Sequence, residues 1–337
     1  MKAVGYRNSL PISEAQSLLD VEMPDPVPGA RDLLVEVRAI SVNPVDTKVR
    51  MRAAPEPGGI KVLGWDAAGV VKAAGSSVAL FKPGDEVFYA GSVARPGTNS
   101  ELHAVDERIV GPKPRSLNFA QAAALPLTSI TAWELLFDRL GLVPGDMQRK
   151  GTLLVIGGAG GVGSIMIQLA RKLTGLTVIA TASRTESRAW VLALGAHHAV
   201  DHSKPLAAEV RALGIEHVDL VASLTNSEQH LMQIAEIIAP QGKFGIIDDP
   251  KAFDILALKR KSVSIHWEFM FTRAVFETAD MIAQHRLLKK VAEMVDAGAL
   301  RSTLSEEFGA INAANLRRAH ALIESGRATG KVVLSGF

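Results

Sequence analysis

The chain has 337 residues, too many for one ordinary hydrophobic core, so two domains are expected. Apolar residues make up 47% and charged residues 21%, the profile of a packed globular protein. The formal charge of +2 comes from Lys and Arg scattered along the chain, which leaves no basic stripe for nucleic acid and no patch for an anionic membrane. Cysteine is absent, which excludes disulfides, thiolate catalysis and thiolate-bound zinc. The start, Met1 to Tyr6, turns polar too soon for a secretory signal. No apolar run approaches the roughly 20 residues of a membrane-spanning helix, so the expected location is the cytoplasm.

In chain order, short β-rich runs come first: Leu33 to Ile40, Gly69 to Val71 and Asp85 to Tyr89. Turn formers separate them, among them Pro26-Val27-Pro28-Gly29, Pro55 to Gly59 and Lys82-Pro83-Gly84-Asp85. Many short strands at this spacing predict a barrel-like β domain. From about Gly151 apolar runs at Leu153 to Ile156, Val178 to Thr181, Val218 to Ala222 and Phe244 to Ile247 alternate with amphipathic segments such as Ile165 to Leu173 and Glu186 to Leu194. That rhythm predicts an α/β, doubly wound parallel sheet with helices on both faces. Ser262 to His266 is expected as its sixth strand and Leu287 to Val295 as a further helix. Lys331 to Leu334 returns to a β pattern and is expected to complete the first domain's sheet, which makes that domain discontinuous.

The strongest motif is Gly158-Ala159-Gly160-Gly161-Val162-Gly163. Alone a G-x-G-x-x-G is weak, but here it follows a predicted strand and opens the helix predicted over Ser164 to Leu173. Without side chains the backbone turns tightly and approaches a pyrophosphate, and the helix N-terminus offers free N–H groups to it. About 20 residues on, an NAD site places an acidic residue on the ribose 2′-hydroxyl. This chain has Ser183 and Arg184 there, a hydroxyl and a planar cation suited to a 2′-phosphate, with Arg188 one helical turn further. The cofactor expected is therefore NADPH. Against this stands the plain alternative that Arg184 and Arg188 are solvated charges that Glu186 neutralises.

With the runs Val42 to Asp46, Leu63 to Val71, Leu125 to Trp133 and Ala328 to Leu334, these features resemble the medium-chain dehydrogenase/reductase superfamily over nearly the whole chain, on its quinone oxidoreductase side. The run Trp267 to Arg273 is similar to the zinc-type alcohol dehydrogenase-like branch. The resemblance implies a GroES-like catalytic domain over 1–126 and 274–337 and a Rossmann domain over 127–273. Zinc-dependent relatives carry a Cys where Asn43 stands, a His where Trp65 stands and a Cys near Leu127. These residues do not replace those ligands, so no zinc is expected. Quinones and α,β-unsaturated carbonyls take hydride without a Lewis acid, because the charge delocalises onto oxygen, and NADPH-dependent reduction of such small molecules is the expected activity. The alternatives are an NADP-dependent alcohol or aldehyde dehydrogenase, or a non-catalytic NADPH-binding regulator.

By the same resemblance Asn43 is expected to reach the acceptor carbonyl or to close an Asx-turn before Pro44. Asp46 and Arg50 are expected in the same cleft or as a structural pair, with Asp66 as a buttress and Trp65 against the substrate channel or in the space left by zinc. Thr131, Leu224, Phe269 and Met270 are expected near the nicotinamide, with Phe271 there or in the core. Lys331 is expected at the cofactor or as an exposed edge lysine. Only Tyr6 and Tyr89 exist as phenols, so a dedicated phenolic proton donor is not expected. His197, His198 and His202 read as surface histidines. The sixth strand's edge implies a homodimer.

Overall fold

The computed structural model describes residues 1–337. They form two units, one of Met1–Ile130 with Phe271–Phe337 and one of Thr131–Met270. The boundaries fall four residues later and three residues earlier than the resemblance implies.

In the first unit the apolar run after Arg31 becomes an 11-residue strand, Asp32–Val42. Its Leu33, Val35, Val37 and Ala39 are buried, as the two-residue period of a strand requires. It pairs antiparallel with Ala67–Ala74, with Leu102–Asp106 and with the C-terminal strand Lys331–Ser335. Glu86–Tyr89, Val110–Pro112 and Leu304–Glu307 complete a seven-stranded sheet. A three-stranded sheet places Lys2–Tyr6 between Leu19–Glu22 and Lys61–Val62. The last strand sets Val332 opposite Val42 and Leu334 opposite Ile40, so the end of the chain folds onto its beginning.

The helix Pro44–Arg52 follows the long strand directly, with proline in its first turn. The fixed φ of Pro44 suits that position, and its missing N–H costs nothing there. This helix packs on the helix Ala313–Glu324. Tyr6 donates its hydroxyl to the carbonyls of Val49, at 3.2 Å, and Ala53, at 2.5 Å, closing the helix's last turn. Arg50 is fully buried, donates to the Leu10 carbonyl and pairs with Glu324. The expected pairing of Asp46 with Arg50 is therefore corrected: Arg50 turns to another helix.

The second unit is a six-stranded, all-parallel sheet. In chain order its strands are Thr152–Ile156, Thr177–Thr181, His198–Val200, Val218–Ser223, Ile238–Ile246 and Ser264–Trp267. In space they run third, second, first, fourth, fifth, sixth. Helices Gly161–Leu173, Thr185–Ala193 and Ser227–Ile237 make crossovers. Leu154, Ile156, Ile179, Val221, Phe244 and Ile246 form the core, which is why these strands read as unbroken apolar runs. The strand order reverses between the first and fourth strands, where such sheets bind ligands at their carboxyl ends. The sixth strand covers Ser264–Trp267, shifted two residues from its expected start, and forms one edge of the sheet.

Because Arg50 is buried and bound to two partners from distant segments, Arg50→Ala should lower the unfolding free energy by about 2–3 kcal/mol, the half-exposed Glu324 softening the loss of a buried pair. Urea unfolding checks this. The folded fraction should keep its kcat/KM, which a cleft residue would not allow.

Candidate functional site

The glycine turn sits at the carboxyl end of the first strand. The Gly157 N–H donates to Thr181 Oγ1 at 3.0 Å and the Gly158 N–H to the Thr181 carbonyl at 3.2 Å, which ties the turn to the second strand. Gly160 caps the following helix, and Ser164 Oγ donates to the Gly160 carbonyl at 2.7 Å. Trp190 Nε1 donates to the same hydroxyl at 2.8 Å and so locks the next helix to this one. The helix starts at Gly161, three residues before the expected start. Glycine's weak helix propensity hid this first turn.

Two glycines separate the demands of the fold from those of a ligand. A Cβ on Gly163 would lie 2.5 Å from the Gly158 carbonyl oxygen, so the turn itself requires glycine there. A Cβ on Gly160 would meet only the Gly157 oxygen, at 3.5 Å, an ordinary contact. Gly160 also has φ −72 and ψ 178, open to any residue. The protein has no internal need of glycine at 160; the space that a side chain would fill lies on the partly exposed face of the turn. A pyrophosphate lying against backbone N–H groups fits that cradle.

After the second strand come Ser183, exposed, and Arg184, half-buried, which caps the helix Thr185–Ala193. Ser187 closes this turn, its hydroxyl donating to the Arg184 carbonyl at 2.9 Å. Arg188 is half-exposed, and no ion pair joins it to Glu186. Leu224 donates its N–H to the Ile156 carbonyl at 3.1 Å and so stands at the carboxyl ends of the first and fourth strands. The glycine turn, Ser183, Arg184, Arg188 and Leu224 thus gather at adjacent strand ends. Phe269, half-exposed, and Met270, buried, follow the sixth strand, and Thr131 is buried at the start of this unit.

The first unit holds the other candidates in a buried polar cluster. The Asp66 carboxylate accepts from the Leu127 N–H at 2.8 Å, from Asn43 Nδ2 at 2.8 Å and from Lys331 Nζ at 3.0 Å. Asn43 Nδ2 also faces the carbonyls of Ser41 and Trp65, each at 3.3 Å, and its Oδ1 accepts from Lys331. Lys331 reaches the Val42 carbonyl at 3.1 Å as well. Asp46 accepts from the Asn43 N–H at 2.7 Å, while its Oδ1 meets no donor. Burial pushes the Asp46 carboxyl up to about 7, against the pull of the Asn43 N–H and Lys331. Burial also raises Asp66, and Lys331 opposes that most strongly.

Several expectations are corrected here. Every polar atom of the Asn43 side chain is engaged within the cluster. Asp46 and Arg50 are buried rather than in a cleft. Lys331 is 3% exposed and ion-paired, not an exposed edge lysine. Trp65 is 1% exposed, donates Nε1 to the Ser92 carbonyl at 3.1 Å and meets Phe271 edge-on at 6.2 Å, so both rings are core, in line with the alternatives of a filled zinc space for Trp65 and a core place for Phe271. Asn43, Trp65 and Leu127 make no zinc donor set, since the asparagine oxygen is already bound by an ammonium and the other two have no lone pair to give. His197 is exposed, as expected of a surface histidine, and also accepts the Val178 N–H and meets Arg171. The buried carboxyls Glu134 and Glu268 went unseen, because no motif marks them.

Residues 29–115 match the alcohol dehydrogenase GroES-like domain and residues 194–334 the zinc-binding dehydrogenase domain. A zinc-type alcohol dehydrogenase-like protein of Staphylococcus epidermidis is 38% identical over 99% of both chains. An NADPH-dependent alkenal/one oxidoreductase of Arabidopsis thaliana chloroplasts is 40% identical over 51% of this chain and 45% of its own. Among solved structures, a Rhizobium etli CFN 42 protein provisionally described as a zinc-dependent alcohol dehydrogenase is 60% identical, with TM-score 0.95 over 100% of this chain and 98% of that one. A quinone oxidoreductase of Pseudomonas syringae is 26% identical, with TM-score 0.83 over 99% of both.

The cluster and the turn each give a measurable outcome. Lys331→Met strands a buried carboxylate and should destabilise by about 3–5 kcal/mol, with Asp66→Asn on top of it restoring much of the loss. A double-mutant cycle in urea reads the coupling. Gly160→Val should leave the melting temperature near that of the wild type and abolish dinucleotide binding, whereas Gly163→Val should lower both; calorimetry and nucleotide titration separate the two.

Proposed function

The chain belongs to the medium-chain dehydrogenase/reductase superfamily, with the zinc-type alcohol dehydrogenase-like proteins, and from that membership we propose that it is an NADPH-dependent reductase of quinones or α,β-unsaturated carbonyls that works without zinc. The observation that carries this reading is the free face of Gly160 beside Ser183 and Arg184, where an acidic residue would select the bare ribose. Backbone N–H groups at the start of helix Gly161–Leu173 hold the pyrophosphate, and the Arg184 and Arg188 guanidiniums hold the 2′-phosphate. NADPH, when bound, supplies the hydride.

The acceptor class follows from what the chain lacks the donors to do. Asn43, Trp65 and Leu127 offer no Lewis acid to polarise a simple carbonyl, so an acceptor that delocalises its own charge is favoured. Neither tyrosine is free as a proton donor: Tyr6 bonds two helix carbonyls, and Tyr89 meets His103 Nδ1 at 3.1 Å. Solvent then supplies the proton. The support from relatives is the alkenal/one reductase and the quinone oxidoreductase named above. The unpaired edge Ser264–Trp267, with Trp267 and Phe269 about half exposed, favours a homodimer through that strand, and the cytoplasm is the compartment that a cysteine-free chain suits.

NADPH oxidation with 1,4-benzoquinone, a naphthoquinone and a small enone tests the reading, with NADH and a chelator as controls. Turnover that prefers NADPH and ignores the chelator is expected, and Arg184→Ala should raise KM for NADPH roughly tenfold with little change for NADH. Turnover only with alcohols, or its loss to chelator, would replace the reading with a metal-dependent alcohol dehydrogenase. Tight NADPH binding with no turnover on any acceptor would make the chain a regulator.

A further inference from the structure

The two holds for the cofactor's phosphates stand on different helices. Helix Gly161–Leu173 opens from the glycine turn, while helix Thr185–Ala193 has Arg184 as its cap and Arg188 one turn on. In NADPH the 2′-phosphate and the pyrophosphate hang from one ribose, so covalent bonds set their separation. A site that grips both must keep its two helix starts at a matching distance.

Trp190 is a side chain that spans them. Its indole N–H donates to Ser164 Oγ at 2.8 Å, and that hydroxyl donates to the Gly160 carbonyl at 2.7 Å. The same carbonyl takes the Ser164 N–H at 2.9 Å, the first bond of the helix. Ser164 is fully buried, and in a dry setting a relay from N–H to O–H to C=O strengthens along its length. On its own helix Trp190 comes three residues after Ser187, a neighbouring position on the helix surface. Ser187 Oγ accepts the Arg184 N–H at 3.2 Å and donates to the Arg184 carbonyl at 2.9 Å. The path from Arg184 to Gly160 thus passes through Ser187, one turn of helix, Trp190 and Ser164.

A second tie lies at the other end. Arg171, in the last turn of the first helix, meets His197, past the end of the second, at 2.7 Å. That contact alone would leave the phosphate ends free to splay. Thr185, Glu186, Ala189 and Leu192 are exposed, so helix Thr185–Ala193 is held from its inner side only.

We infer that Trp190 is a positioning residue that sets cofactor preference: through Ser164 it fixes Arg184 and Arg188 relative to the glycine turn, so that a nucleotide with a 2′-phosphate engages both. The inference rests on the NADPH reading above. Of the two holds, NADH uses only the glycine turn, so loss of the indole N–H should weaken NADPH and spare NADH. A tryptophan that merely filled space between two helices would weaken both cofactors alike, or neither.

Calorimetric titration of wild type, Trp190→Phe, Ser164→Ala and their double variant with NADPH and with NADH tests this, alongside kcat, KM and the melting temperature. Trp190→Phe should raise Kd and KM for NADPH about three- to tenfold, the worth of one hydrogen bond between neutral groups. The constants for NADH, and kcat with either cofactor, should move less than about twofold. The double variant should resemble the single ones, since either change breaks the same bond. In an Arg184→Ala background Trp190→Phe should cost NADPH little more, because the arginine it serves is gone. If Trp190→Phe does not fold, Ser164→Ala carries the same comparison. Equal weakening of NADPH and NADH would overturn the inference. A wild type that prefers NADPH, with variants that keep the same preference, would remove this inference alone. A wild type with no such preference would remove the NADPH reading first and this inference with it.

Discussion

The carboxylate of Asp66 is the point on which the first unit turns. It gathers the Leu127 N–H, the Asn43 amide and the Lys331 ammonium, three groups from distant parts of the chain. A carboxylate taken wholly out of water costs several kcal/mol unless its lone pairs are met. Here they are met, and each donor is thereby fixed. Asn43 is fixed in turn at the head of helix Pro44–Arg52, where its N–H bonds Asp46. Lys331 is fixed at the start of the last strand, whose next residue pairs with Val42. The return of the chain to its own first sheet is thus as much an electrostatic event as a ladder of backbone bonds.

That cluster also decides what chemistry remains. At the position where zinc-dependent relatives carry a ligand, this chain has an asparagine whose oxygen already accepts from an ammonium. The positive charge there is Lys331, and it is neutralised and saturated by Asp66, Asn43 and the Val42 carbonyl. A charge so compensated offers little field to a substrate oxygen. On the proposed reading, the burden falls on the acceptor's own ability to spread charge and on the placement of the cofactor by backbone N–H groups and arginines, rather than on an electrophile in the protein.

The sheet of the second unit was legible because parallel strands buried on both faces must be apolar throughout, and Leu153 to Ile156 or Val218 to Ala222 carry no other reading. The glycine motif was legible because its context, strand before and helix after, lies within a few residues. Side-chain contacts with distant partners were not legible. Asp46 and Arg50 have helical pair spacing, yet Arg50 meets a glutamate 274 residues away. Lys331 sits in a short terminal β-run like an edge lysine, and only the register against Asp32–Val42 shows it turned inward. Glu134 and Glu268 carry no signature at all. A π-type turn shifts the helical register, and the pairing of Arg139 with Glu268 exists only after the sixth strand docks.

The two units share an imbalance. In the first, Asp46 and Asp66 face Lys331; in the second, Glu134 and Glu268 face Arg139. Each cluster is buried, and each has one carboxyl more than it has cations, so full ionisation would leave a net negative charge out of water. The least costly answer is a retained proton, and burial accordingly raises Asp46 and Asp66 in the first cluster and Glu268 in the second. The settings differ. Asp46 has an oxygen with no donor at all and lies under a helix start that Asn43 and Pro44 already hold, so its ionisation is a matter of stability. Glu268 follows the last strand directly, its N–H donating to the Ile246 carbonyl and its carboxylate paired with Arg139. In both units the excess charge bears on the stability of the fold.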